Sequence, residues 1–588
     1  MSCRWMAGVL LALLSLVTAR AEPVETEAPA RGLIVRLKQP LAHERLQRAS
    51  AAARAADDAA AAREVGRWQR VLGEAGLSGS SGRVPPRLRP VGRDQQLVEF
   101  EHPLSRSEAA LLRDKLLARP DVDWVEPNVR ERRLQAVPDD PLFPQQWWLQ
   151  PASGSNANAL DARLRGVAGF QNAWLRAGAA PVVVAVLDTG VTRHPDLDGR
   201  VLAGYDFVSV LEYANDGDGR DPDPSDPGDY VTASDTASNL FAGCRLEDSS
   251  WHGTIVSGMV AAYTNNGLGG AGVHPTASVL AVRVAGKCGA DLPDIIDGMR
   301  WAAGLRVTGV PANPNPARIV NISFGGSAAC GPAYQAAVDE LRALGVVVVA
   351  AAGNEWSAPT RPASCAGVVG VAGLNRDGFK SNYSNFGAEL AASGIATVSG
   401  DDPDGAWGGS LADSGLVTLI NLGRNAPGTP GYARLYGTSF AAPQVAGTLA
   451  LMLGVNPALS YDQLVRGLRL SARPHVTSPK IGACSAANPG RCICSAETCG
   501  AGILDADQAL VFASMPDSYV PPRRLAEVID NVDVDAALAL SPQDRGPKAV
   551  QVADAGDSGG GAFGGFWLLA LAAAAITLPL VRPAAPRR

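Results

Sequence analysis

Three short segments carry the residue types that nucleophilic catalysis requires: Asp188-Thr189-Gly190, His252-Gly253-Thr254 and Gly437-Thr438-Ser439-Phe440-Ala441-Ala442-Pro443. A serine hydroxyl is a poor nucleophile at neutral pH. It needs a base to take its proton and a buried acid to orient that base. Any one segment alone is a weak signal, since an Asp after a strand caps turns and His-Gly pairs are commonplace. Together, in the order Asp, His, Ser, they supply all three roles. Ser439 precedes a small-residue run reaching Leu453, which sets it at a helix N-terminus, where unpaired N–H groups and the positive dipole end favour an anion. Pro443 falls in the first turn, where its missing N–H costs least. His252 opens a stretch of small residues that can pack closely beneath the site.

The elements that must position these groups are visible as β-branched runs at 182–187, 279–284, 318–322, 346–350 and 368–372, separated by helical stretches. Near-continuous apolar strands alternating with helices mean a parallel sheet covered on both faces, a three-layer doubly wound α/β architecture. Sites in such sheets form beyond the carboxyl ends of the strands. Reactive residue types should therefore follow the runs, and they do. Asp188 follows the first, Ser323 the third and Asn354 the fourth.

These motifs resemble those of the subtilisin-like serine protease family, and the resemblance covers residues 140–512. It implies Asp188 as orienting acid, His252 as general base and acid, and Ser439 as nucleophile. It implies Asn354, in Ala351-Ala352-Gly353-Asn354-Glu355, as the oxyanion-hole amide, acting with the N–H of Ser439. Ser323-Phe324-Gly325-Gly326 resembles the family's substrate-binding segment, whose glycines would let an extended peptide approach the backbone and add to the sheet edge. The sequence departs from the common pattern at Ile255, Gln444 and Ser393, none of which removes a catalytic group. Residues 22–135, with strand-like runs at 32–37, 96–100 and 122–125, resemble the family's inhibitory propeptide, a small α+β ferredoxin-like unit. The Arg130-Glu131-Arg132-Arg133 run reads either as a cleavage region or as a solvated charge run, and self-processing is expected between about Arg132 and Pro138.

The ends of the chain bound its location. Arg4, the apolar run 7–17 and Ala19-Arg20-Ala21 form a signal peptide over residues 1–21. Residues 136–514 read as the peptidase domain and 515–558 as a linker. A Gly559-Gly560-Gly561 run, the apolar stretch 566–581 and a basic end make up residues 559–588. This tail is similar to Gly-Gly sorting tails of Gram-negative bacteria, cut by a rhomboid-type protease after transient membrane insertion, and implies a secreted or cell-surface product. Eight cysteines follow Cys3 of the signal, and export favours disulfides among them over zinc, since the spacings of Cys484, Cys492, Cys494 and Cys499 form no two clean ligand pairs. The net charge of −6 gives no reason to expect a nucleic-acid partner. No catalytic cofactor is implied. Asp216, Asp218, Asp221 and Asp226, in a Gly-interrupted acidic run, read either as a structural calcium loop or as a solvated acidic loop. Three functions are consistent with the motifs: an extracellular endopeptidase acting on protein or peptide substrates with its propeptide as inhibitor, a non-catalytic binding protein on the same fold, and a dedicated processing protease.

Overall fold

The computed structural model describes residues 30–38, 66–76, 86–91, 95–104, 106–128, 137–152, 164–178, 180–401 and 415–540, with positions 407, 411 and 413. The chain forms two compact units that divide between Gln135 and Ala136. The expected signal peptide, the Arg130–Arg133 run, residues 541–558 of the linker and the 559–588 tail lie outside the described residues.

In the first unit, β1 (Ala30–Leu37), β2 (Arg87–Val91), β3 (Gln95–Leu104), α1 (Arg106–Leu117) and β4 (Val122–Pro127) build an antiparallel sheet of order β2-β3-β1-β4. This is the order of a ferredoxin-like unit. Alternate residues Leu33, Val35 and Leu37 of the central strand pack with Trp68, Val98, Leu112, Leu116 and Val125. Strand β2 leaves no apolar alternation in the sequence. It is an edge strand with four of its five residues exposed, and the edge tolerates Pro90 because one side of it carries no ladder bond.

In the second unit the strands are β5 (Val183–Asp188), β6 (Val201–Asp206), β7 (Ser278–Arg283), β8 (Ile319–Ile322), β9 (Val347–Ala351), β10 (Val369–Leu374) and β11 (Ile395–Val398), with a β-hairpin of β12 (Leu416–Asn421) and β13 (Pro430–Leu435). The helices that matter below are α2 (His252–Ala261), α3 (Leu292–Ala302), α4 (Pro332–Ala343), α5 (Ala442–Val455), α6 (Tyr461–Ser471), α7 (Ala506–Ser514) and α8 (Val532–Ala539). All seven strands of the large sheet pair in parallel, in the order β11-β10-β9-β8-β5-β7-β6. Successive residues of one strand serve opposite layers. Val184 and Val186 of β5 lie in the core that α2 and α5 cover, whereas Ala185 and Leu187 lie in the opposite core, covered by α3. The three-layer doubly wound architecture is thus the consequence of apolar residues at every position of a strand buried on both faces. The chain leaves β5 toward β7 and β6 on one side and toward β8 to β11 on the other. The sheet order therefore reverses between β5 and β8, where ligand crevices form in folds of this kind.

Two features differ from expectation. The edge strands β6 and β11 were not visible as apolar runs, because β6 is broken by Gly204 and β11 is four residues long. Residues 515–540, expected as linker, are packed: Ile529, Val534 and Ala537 are buried, the backbone of Thr477 exchanges hydrogen bonds with Glu527 and Ile529 at 2.8 Å each, and the Arg491 guanidinium donates to the Ala537 carbonyl. Three apolar residues are too few to show a period in the sequence, yet enough to dock one bridging residue, Val528, and a short helix.

Candidate active site

The switch point between β5 and β8 is where the chemistry-bearing residues gather. Asp188 is the last residue of β5 and is 1% exposed. Its carboxylate accepts from the Thr189 N–H at 2.9 Å and faces His252 Nδ1 with both oxygens, at 2.8 and 2.9 Å. A ring nitrogen facing a carboxylate carries the proton, so neutral His252 presents Nε2 as its basic atom. Burial lowers the imidazole's affinity for a proton. The Asp188 charge and hydrogen bond, with Asp229 and Asp226 behind them, more than offset this, and the His252 pKa lies above the usual 6.5.

His252 sits at the first position of α2, entered through Trp251 in the left-handed conformation at φ 53°. The turn is held from below, where Asp229 accepts from Ser250 N at 2.6 Å and Ser250 Oγ at 2.7 Å, and Ser250 Oγ in turn accepts from His252 N at 3.3 Å. The glycine of His252-Gly253-Thr254 is required by close approach, because a Cβ at 253 would lie 2.1 Å from the Gly190 carbonyl and 3.1 Å from Asp188 Cβ. The acid turn and the base helix touch through that glycine.

Ser439 lies in a single 3₁₀ turn, Thr438–Phe440, directly before α5. The Phe440 ring is 6.1 Å from the His252 ring, so the serine turn borders the imidazole. In this structure Ser439 Oγ donates to the Ser323 carbonyl, and Ser323 Oγ donates to the Ser439 carbonyl at 2.8 Å. Helix α5 is apolar enough, with the turn before it, to pass for a membrane span, but 94% of that stretch is buried. It is a core helix under the site.

Asn354 follows β9 and is 6% exposed. Its Oδ1 accepts from Thr438 N and Thr438 Oγ1, each at 3.0 Å. A backbone N–H can only donate, so the oxygen of the amide must face Thr438, and Nδ2 remains the donor on the side away from it. The residue before the nucleophile thereby sets the orientation of this amide.

The segment Ser323–Gly326, expected to let a peptide approach along its glycines, packs on one side against the loop at residue 361. The Phe324 side chain packs in the core beneath the sheet. A Cβ at Gly325 would meet the Arg361 carbonyl at 2.6 Å, and one at Gly326 would meet Arg361 Nε at 2.7 Å. The Gly326 N–H donates to the Arg361 carbonyl at 3.0 Å. The backbone of the neighbouring 361 loop leaves no room for a side chain at Gly325, and Ser323 is bonded to Ser439 itself.

The four acids of the expected calcium set are not brought to one point. Asp216 pairs with Arg283. Asp226 is buried, accepting from Thr189 Oγ1 at 2.6 Å and Gly228 N at 2.9 Å, so its oxygens are committed next to the Asp188 turn. Loss of solvation and the carboxylates of Asp221 and Asp216 raise the pKa of Asp218, but among the described residues these acids do not form a group of three gathered tightly enough to hold an ion. Of the other histidines, His194 is a turn residue whose Nδ1 accepts from Asp196 N at 3.1 Å, and burial lowers His274 to about 4. The cysteines pair as Cys244–Cys288, Cys330–Cys365, Cys484–Cys492 and Cys494–Cys499. The clustered sulfurs of Cys484, Cys494 and Cys499 are therefore committed to bridges, and no thiolates remain there for zinc.

Comparison with known proteins shows the family. The profile of the Subtilase family matches residues 180–486. An "Extracellular protease" of Xanthomonas campestris pv. campestris is 38% identical over 429 residues, which cover 72% of this chain and 65% of the relative. An "Extracellular basic protease" of Dichelobacter nodosus is 39% identical over 371 residues, 61% of this chain and 56% of the relative. The chain thus spans less than two thirds of the length of these curated relatives. A solved structure described as proteases from Pseudoalteromonas arctica PAMC 21717 superposes with a TM-score of 0.55 at 39% identity, covering 64% of this chain and all of that one.

Proposed function

The chain belongs to the subtilase family, and from that premise we propose that it is a secreted serine endopeptidase, made as a self-processing zymogen, that hydrolyses extracellular proteins through Asp188, His252 and Ser439. The observation that carries this reading is the buried Asp188–His252 contact at 2.8 Å beside the serine turn, with the Asn354 amide oriented by the residue next to the nucleophile. In the first step the Ser439 hydroxyl turns from the Ser323 carbonyl toward His252 Nε2, which takes its proton as Oγ attacks the scissile carbonyl carbon. Asn354 Nδ2 and the Ser439 N–H donate to the oxyanion, which the N-terminus of α5 also favours. The proton on Nε2 then passes to the departing amine, and water hydrolyses the acyl-enzyme by the same path. Asp188 holds the imidazole tautomer and stabilises the imidazolium throughout.

The finer parts of the reading have their own supports. Export fits the N-terminal signal pattern and relatives named extracellular proteases. The inhibitory role of residues 22–135 is supported by the fold of the first unit, and transient membrane anchoring by the Gly-Gly-Gly, apolar and basic pattern of the tail. A structural calcium would have to draw Asp216 away from Arg283 to join Asp218 and Asp221, and Asp226 is held by Thr189 and Gly228. The test of the catalytic reading is Ser439→Ala in the full chain. It should abolish casein cleavage, labelling by phenylmethylsulfonyl fluoride and the change in N-terminus that marks self-processing. Casein cleavage persisting in that variant would exclude Ser439 as nucleophile, and retained processing would exclude self-cleavage.

A further inference from the structure

Lys380 is fully buried, yet its ammonium is satisfied without a paired carboxylate in hydrogen-bond contact. Nζ donates to the carbonyls of Ser381 at 2.9 Å, Asn382 at 2.9 Å and Ser384 at 3.0 Å, so the backbone winds round the charge as it would round a bound cation. The far side of this loop is tied down. Ser381 Oγ donates to the Gly400 carbonyl at 2.9 Å, Asn382 N to Asp401 Oδ2 at 3.2 Å, and Trp407 Nε1 to the Lys380 carbonyl at 2.8 Å. Burying an ammonium is costly, and burial pushes this one down to about 7, with Asp401 opposing. A side chain with that cost, remote from the proton transfers above, calls for a structural return.

The near side of the loop shows it. Asn385, next after the last carbonyl held, grips the turn carrying Asn354 from both ends. Its Nδ2 donates to the Ala352 carbonyl at 3.1 Å and to Glu355 Oε2 at 2.7 Å. Its Oδ1 accepts from the N–H groups of Glu355 at 2.8 Å and Ser357 at 3.0 Å. Its own N–H donates to the Gly353 carbonyl at 2.9 Å. Glu355 Oε2 in turn accepts from Asn354 N at 2.8 Å. Two residues of this turn are left-handed, Gly353 at φ 105° and Trp356 at φ 56°. The turn's shape is thus dictated from outside, by Asn385 and the carboxylate it orients.

We propose that Asn385, on a loop wound round the buried ammonium of Lys380, is the positioning residue that holds the Asn354 amide in register with Ser439. The inference rests on the oxyanion role of Asn354 proposed above. It assigns the loop at 380–385, which touches none of the reacting atoms, to transition-state stabilisation, because an amide displaced by about an ångström loses most of what a preorganised donor contributes.

A double-mutant cycle on the full chain tests it, with kcat and KM for a peptide anilide measured per mole of processed chain and the Tm of each variant recorded. Asn354→Ala should lower kcat about 100-fold or more with KM little changed. Asn385→Ala should lower kcat at least 10-fold, and the double variant should be no slower than Asn354→Ala alone, since a positioning residue has nothing left to position. Lys380→Met should show the same lack of additivity. Asn385→Asp, which keeps the acceptor but loses both Nδ2 donor bonds and sets a second carboxylate against Glu355, gives the same readout if the alanine variant does not fold. Losses that multiply in the double variant, or an unchanged kcat in Asn385→Ala and Asn385→Asp, would overturn the proposal. An unchanged kcat in Asn354→Ala would overturn the oxyanion reading itself, and is visible in that single variant.

Discussion

At the scale of single residues, the site is governed by how His252 balances burial against negative charge. Its pKa is raised, and in the proposed mechanism the base must be neutral to accept the Ser439 proton. Activity should therefore be lost as the pH falls through a value above 6.5 and be retained on the alkaline side. A kcat/KM profile with its acidic limb below pH 6 would contradict that assignment. Asp188→Asn leaves the geometry but favours the wrong tautomer, and should lower kcat by about 10⁴-fold with small effect on KM. Asp188, His252 and Ser439 were legible in the sequence because the chemistry dictates their types and the fold dictates small neighbours. Asn385 and Lys380 were not, because nearly all of their bonds are to backbone atoms, which leave no trace in residue identity at either end.

At the scale of elements, the contact between the Asp188 turn and α2 depends on Gly253. Gly253→Ala places a methyl against the Gly190 carbonyl. Overpacking of this kind costs about 1–3 kcal/mol, and here it also drives His252 from its acid. The expected result is a lower Tm together with a kcat loss larger than the stability loss explains. The 515–540 segment makes an opposite case, in which the sequence reads as a linker and the structure shows a docked element. Truncation after 514 removes Ile529, Val534 and Ala537 from the core they share with Ile481 and the Cys484–Cys499 region, and takes away the acceptor of Arg491. It should lower the thermal midpoint by several degrees or abolish secretion, whereas truncation of a true linker would leave both unchanged.

At the scale of the whole molecule, four disulfides close loops of different lengths. Cys244–Cys288 spans 44 residues and Cys494–Cys499 spans 5. Loop entropy in the unfolded chain makes the first worth about 4 kcal/mol and the second about 2. Removing Cys244 and Cys288 together should thus lower the denaturation midpoint further than removing Cys494 and Cys499, as urea titration of each variant would show. The sequence by itself determined the α/β class, the strands whose both faces are buried, and the residue types able to attack a carbonyl, because hydrophobic period and chemical role are properties of residues in order. Only the tertiary structure decided which cysteines pair, that Asp226 bonds to the Asp188 turn through Thr189, that Gly325 packs against the Arg361 carbonyl, and that residues 515–540 are packed. Each of those depends on distances between segments remote in the chain, and such distances are set by packing and backbone hydrogen bonds that no local pattern encodes.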